Sequence, residues 1–217
     1  LPFPGDVVDD LDEARRLTEP SGVVYHGGRG TLFVAGDEGD LSEVSLAGDV
    51  LHQRRLILDN PSDFEGITWA PTTGMLYVLV EMEDAILEVD PDDLLVRRAF
   101  PVGRTWQGET VIAEGGQGLE GITFVEDADD PDGGTFYIVN QGFEDSAADD
   151  ASAILQVRVP LGDPDADDVE APILRHMRLD VFNVSAIHYD SHAASLYLLA
   201  QGNLCQATFD GEILAAY

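Results

Sequence analysis

The chain repeats a block of four apolar runs, and few folds accept such a block. Aligning "SGVVYH" from Ser21, "FEGITW" from Phe64, "LEGITF" from Leu119 and "VSAIHYD" from Val184 brings Gly22, Gly66, Gly121 and Ala186 into one column, at steps of 44, 55 and 65 residues. A second run follows each anchor: "TLFVAGDEG", "MLYVLVEME", "TFYIVNQGF" and "SLYLLAQGN". A third follows in every case ("LSEVSLAGD", "AILEVDPDD", "AILQVRVPL", "LCQATFDGE"), and a fourth closes the first three blocks ("VLHQRRLIL", "LLVRRAFPV", "ILRHMRLD"). The runs are short and rich in β-branched and aromatic residues, and turn signals such as "PTTG" and "FDGE" separate them, so they read as strands. No stretch carries a helical period. A sandwich would also give many short strands, but not a four-run unit restarting at the same anchor. The chain is therefore predicted to be an all-β propeller with four recognisable four-stranded blades.

The expected organisation is a single domain over 1–217, with blades at roughly 21–60, 61–103, 117–180 and 181–217. Writing the end "GEILAAY" directly before the start "LPFPGD" gives a segment that matches "RRAFPVG" after the second block. On this reading residues 1–20 complete the last outer strand at a seam between the termini. The alternative is that they complete a neighbouring unit, which would make a tandem array or filament; both hide an exposed strand edge.

Charge limits the partners. The formal net charge is −31, and all 11 basic residues are Arg. Such a field repels nucleic acid and anionic membrane surfaces and attracts cations. No apolar run approaches the roughly 18 residues of a membrane span. Cys205 stands alone and excludes an internal disulfide.

In a propeller the first strand of each blade lines the central channel, so equivalent positions converge there. That brings Glu65 and Glu120 to the channel mouth beside Ser21 and Ser185. The residues five positions beyond Leu32, Leu76, Phe136 and Leu196 in the following apolar run add Asp37, Glu81, Gln141 and Gln201. Four acids with amide oxygens around one axis form a hard-oxygen set suited to calcium. A glutamate before glycine can also simply bond the neighbouring blade's backbone, and the two roles are compatible. His188, one turn of the alternation further on, is the histidine placed to face the channel.

A second group of acids sits in three insertions of the third block: "DADDPDGG" (127–134), "FEDSAADD" (143–150) and "GDPDADDVE" (162–170). Asp163, Asp165 and Asp167 alternate as they would in a calcium loop. Asp168 occupies the position where an EF-hand needs glycine, so an EF-hand is rejected and a looser Asp-rich site stays open.

The order of Ser-Gly, "FEGITW", "LEGITF" and a Ser-Ala anchor, with "LYVL"-type second runs, resembles the SdiA-regulated, or YjiK-like, bacterial propeller family over most of the chain from Thr18 to Tyr217. The resemblance implies an exported, calcium-associated propeller acting outside the cytoplasm, without established catalysis. The family's pattern runs on into a further Glu-Gly repeat that this sequence does not show, and Gln141 and Gln201 stand where the family carries acids. Metal-dependent hydrolases of the lactonase and phosphotriesterase-like propeller type are the alternative. They use a similar Glu-Gly glutamate under a channel cation, for which Asn140, Asn183 and His188 are the candidate additions. No "GxSxG", "HExxH" or phosphate-loop motif is present.

Overall fold

The structure, a computed structural model, describes residues 5–8, 19–58, 63–115 and 118–217, with only the backbone of 5–8, 57 and 58. The alternation read from the sequence becomes four antiparallel sheets, each laid down in chain order from inner to outer strand. The first blade comprises β2 (Pro20–His26), β3 (Thr31–Gly36), β4 (Asp40–Val44) and β5 (Val50–Leu58), preceded in sequence by β1 (Gly5–Val8). The second comprises β6 (Phe64–Ala70), β7 (Met75–Val80), β8 (Ala85–Val89) and β9 (Val96–Pro101). A small hairpin, β10 (Thr105–Trp106) and β11 (Glu109–Thr110), leads to the third blade: β12 (Leu119–Glu126), β13 (Gly134–Asn140), β14 (Ala153–Val157) and β15 (Ile173–Arg178). The fourth comprises β16 (Val184–Asp190), β17 (Ser195–Ala200), β18 (Asn203–Ala207) and β19 (Ile213–Ala216). The chain is a four-bladed β-propeller. No helix among the described residues is long and apolar enough to cross a membrane.

The core lies between blades. Tyr77, Leu79 and Ile86 of the second blade pack with Phe124, Phe136 and Ile138 of the third. Phe33, Ala35 and Leu41 meet Phe64 and Ile67 across the first junction, and Tyr137, Val139 and Ile154 meet Val184 and Ile187 across the third. Burial of these apolar faces is the main driving force holding the ring. Cys205 is buried in the last of these clusters.

The anchor glycines have a steric reason. A Cβ on Gly22 would lie 2.5 Å from the Glu65 carbonyl oxygen, one on Gly66 would lie 2.7 Å from the Ile122 nitrogen, and one on Gly121 would lie 2.8 Å from the Ile187 nitrogen. Inner strands approach so closely at three junctions that only glycine fits. Thr68 and Thr123 add a pin each, their hydroxyls accepting from the Phe124 and Tyr189 amides of the next blade at 3.2 and 3.1 Å.

The fourth side differs. Val23 is 62% exposed, while Ile67, Ile122 and Ile187 at its register position are 4–7% exposed. Leu199 and Leu204 are 41% and 45% exposed, against 0–1% for Ala35 and Leu41 of the first blade. A cavity of about 620 Å³ runs from the channel into this side, lined by β2, by His188 and by Tyr197, Leu199 and Leu204.

One expectation is corrected. Gly5–Val8 does not complete the last blade: β1 pairs with β5, Gly5 opposite Leu58 and Val8 opposite Arg55, making the first blade five-stranded. The fourth blade draws its outer strand, β19, from its own residues, with Ala216 opposite Cys205. The terminal resemblance is between segments that both continue an outer strand, and such segments can lie on any blade's outer edge. Residues 1–4 and 9–18, the rest of the expected closing segment, lie outside the described residues.

Candidate functional site

Where each second strand ends, the chain makes the same hydrogen bond. The amides of Asp37, Glu81, Gln141 and Gln201 donate to the carbonyls of Glu19, Asp63, Gly118 and Asn183, three residues before each anchor, at 3.2, 2.9, 2.9 and 3.2 Å. Glu19, Gly118 and Asn183 take positive φ there (49°, 90° and 52°), which glycine and asparagine accept most readily. The bond fixes the fifth-position residue of each blade beside the inner-strand entry, so the four blades deliver three tiers of side chains to one mouth.

The mouth has two halves. On the acid half, Asp37, Asp63 and Glu65 each present a carboxylate oxygen within 4.8 Å of the others, all half-buried. The Ser21 hydroxyl donates to Asp37. Glu81 shares a hydrogen bond with Asp63 and lies over Gly118, whose missing side chain leaves it room. Glu120 completes the group and also lines the channel cavity. On the amide half, the Gln141 side chain donates to the Asn183 side-chain oxygen at 2.9 Å.

Burial and mutual repulsion set the electrostatics of the acid half. Burial first, then the charges of Glu120, Asp37 and Asp63, push the Glu65 carboxyl up to about 8. Burial and the bond to Asp63 push Glu81 up to about 8, and burial with Glu81, Asp63 and Asp37 pushes Glu120 up to about 7. Among the described residues no arginine pairs with any of these five acids; the ion pairs of the molecule lie elsewhere, as in Arg98–Glu88 and Arg104–Asp84. The result is a cluster of carboxylate oxygens that no arginine balances among the described residues.

Of the residues singled out from sequence, Asp37, Glu65, Glu81, Glu120 and Ser21 meet at this mouth, and Gln141 lies in its amide half. Ser185 and His188 line the channel cavity. His188 is exposed and occupies the register position of Thr68 and Thr123, whose hydroxyls point to the next blade rather than to the acids. Asp63 is the member that sequence reasoning passed over, although it begins the quoted "DFEGITW".

The Asp-rich loop has a different occupation. Arg98, paired with Glu88 at 2.6 Å, also donates to the Asp163 carbonyl at 2.6 Å, and the Asp167 carboxylate accepts from the Ala99 amide at 3.0 Å. The Asp163 carboxylate accepts from the Asp165 amide at 3.1 Å, closing a local turn. Asp163, Asp165 and Asp167 thus belong to a strap that fastens the third blade's insertion to the second blade, and the cluster of three acids found among the described residues lies at the mouth instead. The 127–134 loop is similarly engaged: Asp130 pairs with Arg158 at 2.6 Å, and Asp132 accepts from the Gly162 amide at 3.0 Å.

Comparison with known proteins gives a consistent picture. The sequence profile described as SdiA-regulated matches residues 16–214. No curated protein matches the sequence. Among solved structures, the chain is similar to a protein of unknown function from Bacteroides caccae, at 12% identity and a TM-score of 0.53, covering 92% of this chain and 60% of that one. It is also similar to the hydrazine synthase of Kuenenia stuttgartiensis, at 15% identity and a TM-score of 0.56, covering 96% of this chain and 51% of that one. At these identities the likeness concerns the fold, and the chain spans about half to three fifths of the length of those chains.

Proposed function

The chain belongs to the SdiA-regulated family, and on that footing we propose that it is a non-enzymatic, calcium-stabilised propeller serving as a binding or structural module outside the cytoplasm. The observation that carries the reading is the acid half of the mouth: Asp37, Asp63 and Glu65 with oxygens within 4.8 Å, Glu81 and Glu120 beside them, and no arginine among the described residues to balance them. Calcium takes six to eight oxygen ligands in flexible geometry and tolerates mixed carboxylate, hydroxyl and carbonyl donors, which is what this set offers. Magnesium demands a tighter octahedron and dehydrates reluctantly, so a wide, half-exposed carboxylate cluster favours the larger ion.

The placement outside the cytoplasm is part of the same proposal and is consistent with this chemistry. Modules of that environment bind calcium at about 10⁻⁴ to 10⁻³ M, an affinity that a half-buried cluster drawn from three blades can reach without a rigid loop. The role assigned to the metal is structural. It would tie the first three blades together at the point where their carboxylates repel one another.

The test is a calorimetric titration of the chelated protein with calcium and, separately, magnesium. Saturable binding of calcium that is lost in Glu65→Gln supports the reading. An unchanged isotherm in Glu65→Gln and Glu120→Gln, or no binding at millimolar calcium, would sink it.

A further inference from the structure

The tripeptide Asp-Pro-Asp occurs three times, at 90–92, 130–132 and 163–165. The three turns are built alike. In each, the amide of the second aspartate donates to the carboxylate of the first: Asp92 to Asp90 at 2.9 Å, Asp132 to Asp130 at 2.9 Å and Asp165 to Asp163 at 3.1 Å. That bond folds the carboxyl group back along the Asp-Pro peptide unit, whose carbonyl carbon is an electrophile within reach of a cyclisation.

The turns differ in where the arginine sits. Arg97 holds the Asp90 carboxylate at 2.8 Å, and Arg158 holds the Asp130 carboxylate at 2.6 Å. In both, the cation occupies the oxygen that would act as nucleophile, and the main-chain carbonyl accepts a backbone amide, from Leu94 at 2.8 Å and from Gly133 at 2.9 Å. At Asp163 the arrangement is reversed. Arg98 donates to the main-chain carbonyl oxygen at 2.6 Å, the Ala166 amide donates to the same oxygen at 3.2 Å, and among the described residues no arginine is bonded to the carboxylate. Glu88 takes Nε and one terminal nitrogen of Arg98 at 2.9 and 2.6 Å, which fixes the guanidinium plane and leaves the other terminal nitrogen for the carbonyl. Asp163 and Pro164 are exposed to water, whereas Asp90 and Asp130 are half-buried.

We propose that the Asp163–Pro164 bond is a self-cleavage site, with the Asp163 carboxyl as nucleophile and Arg98 with the Ala166 amide as its oxyanion hole. The carboxyl oxygen attacks the Asp163 carbonyl carbon, and the negative charge that develops on the carbonyl oxygen falls on two donors already in place. The C–N bond to Pro164 then breaks, the proline nitrogen leaves with the proton of the carboxyl group, and Asp163 is left as a cyclic anhydride. Water opens the anhydride to two carboxyl groups, so the sum is hydrolysis of one peptide bond. The cut falls between β14 and β15, which stay paired from Ala153 opposite Arg178 to Val157 opposite Ile173, so the product is a two-chain propeller. The new terminal carboxylate lies beside Arg98 and keeps it as a partner. This inference does not rest on the calcium reading.

The test follows intact mass over days in mildly acidic buffer, for the folded protein and for the same protein in urea. The folded protein should yield fragments 1–163 and 164–217 at least about tenfold faster than fragments cut at Asp90–Pro91 or Asp130–Pro131, the scale set by a preformed oxyanion hole. Urea, which removes Arg98 from the carbonyl, should bring the three bonds to similar rates. Asp163→Ala should abolish the cut with an unchanged thermal melt, since the only bond lost belongs to an exposed turn. An intact folded chain, equal cleavage at the three bonds of the folded protein, a preference that persists in urea, or cleavage after residue 163 in Asp163→Ala would each overturn the proposal.

Discussion

The first three blades and the fourth are built from the same four-strand unit, yet they differ at several positions where the unit meets a neighbour. The first three carry glycine at the anchor and the fourth carries Ala186. The second and third place a threonine where the fourth places His188, and the acids of the mouth come from the first three blades while its amides are Gln141 of the third and Asn183 and Gln201 of the fourth. β1 adds a fifth strand to the first blade, and among the described residues no further strand pairs with the fourth. The strands themselves are conserved in pattern because hydrogen bonding within a blade asks only for alternation. What differs is what each blade touches, and the contacts decide the residues.

Four experiments would break or sharpen this contrast. The largest effect is expected from Gly66→Ala, whose Cβ would meet backbone atoms of Gly121 and Ile122 at 3.0 and 2.7 Å. Overpacking costs about 1–3 kcal/mol, and contact with rigid backbone puts this site at the upper end of that range. The reciprocal Ala186→Gly should cost no more than about 1 kcal/mol, the backbone entropy of the added glycine. Equal losses in urea denaturation would show that the open side is as tightly packed as the closed ones.

Calcium comes next. At a hundredfold excess over its dissociation constant a ligand stabilises by about 2.7 kcal/mol, or about 5–10 °C of melting temperature for a domain of this size. Scanning calorimetry with calcium or chelator reads it directly. The gain should shrink in Glu65→Gln and stay intact in Gln201→Ala, because the latter belongs to the amide half.

The pH dependence of the chelated protein has a definite sign. Glu65 and Glu81 are raised from 4.5 to about 8 and Glu120 to about 7, so the folded state holds protons that the unfolded state has already lost. Their contribution is fully favourable below the unfolded value near 4.5, declines as pH rises, and is lost once pH passes the folded values of about 7 to 8. Melting temperature in chelator should therefore fall between pH 5 and pH 8 through these groups. Calcium should restore more at pH 8 than at pH 6, since protons compete for the same oxygens. A calcium gain that is flat with pH would remove these carboxylates from the site.

The smallest effect separates the halves by substitution alone. In chelator, Glu120→Gln should raise the melting temperature slightly by relieving repulsion around Glu65 and Glu81, while Gln141→Glu should lower it by adding a charge and breaking the bond to Asn183. The same sign for both, measured side by side, would mean that the mouth is electrostatically uniform.

Much of the mouth was legible before any coordinates. The Glu-Gly anchors and the fifth-position acids converge because register within a blade is local: each hairpin joins residues no more than about twenty positions apart, and the alternation of Val, Ile, Leu and Tyr fixes which face each one takes. Asp63 escaped because its value lies in nearness to Asp37, a residue of another blade. The Asp163–Asp167 loop resembled a metal site because alternate aspartates also make good turns. Only the fold reveals that Arg98, 65 residues earlier, takes the Asp163 carbonyl as its partner.

The sequence by itself determined the propeller, its four blades and the acidic character of the mouth, since hydrophobic period and repeat spacing are properties of neighbouring residues. Tertiary structure alone decided which edge β1 covers, which blade the strap grips and which side of the ring stays open. Those choices join segments far apart in the chain, where backbone pairing is indifferent to side-chain identity and the outcome rests on which unpaired edge and which apolar face lie within reach.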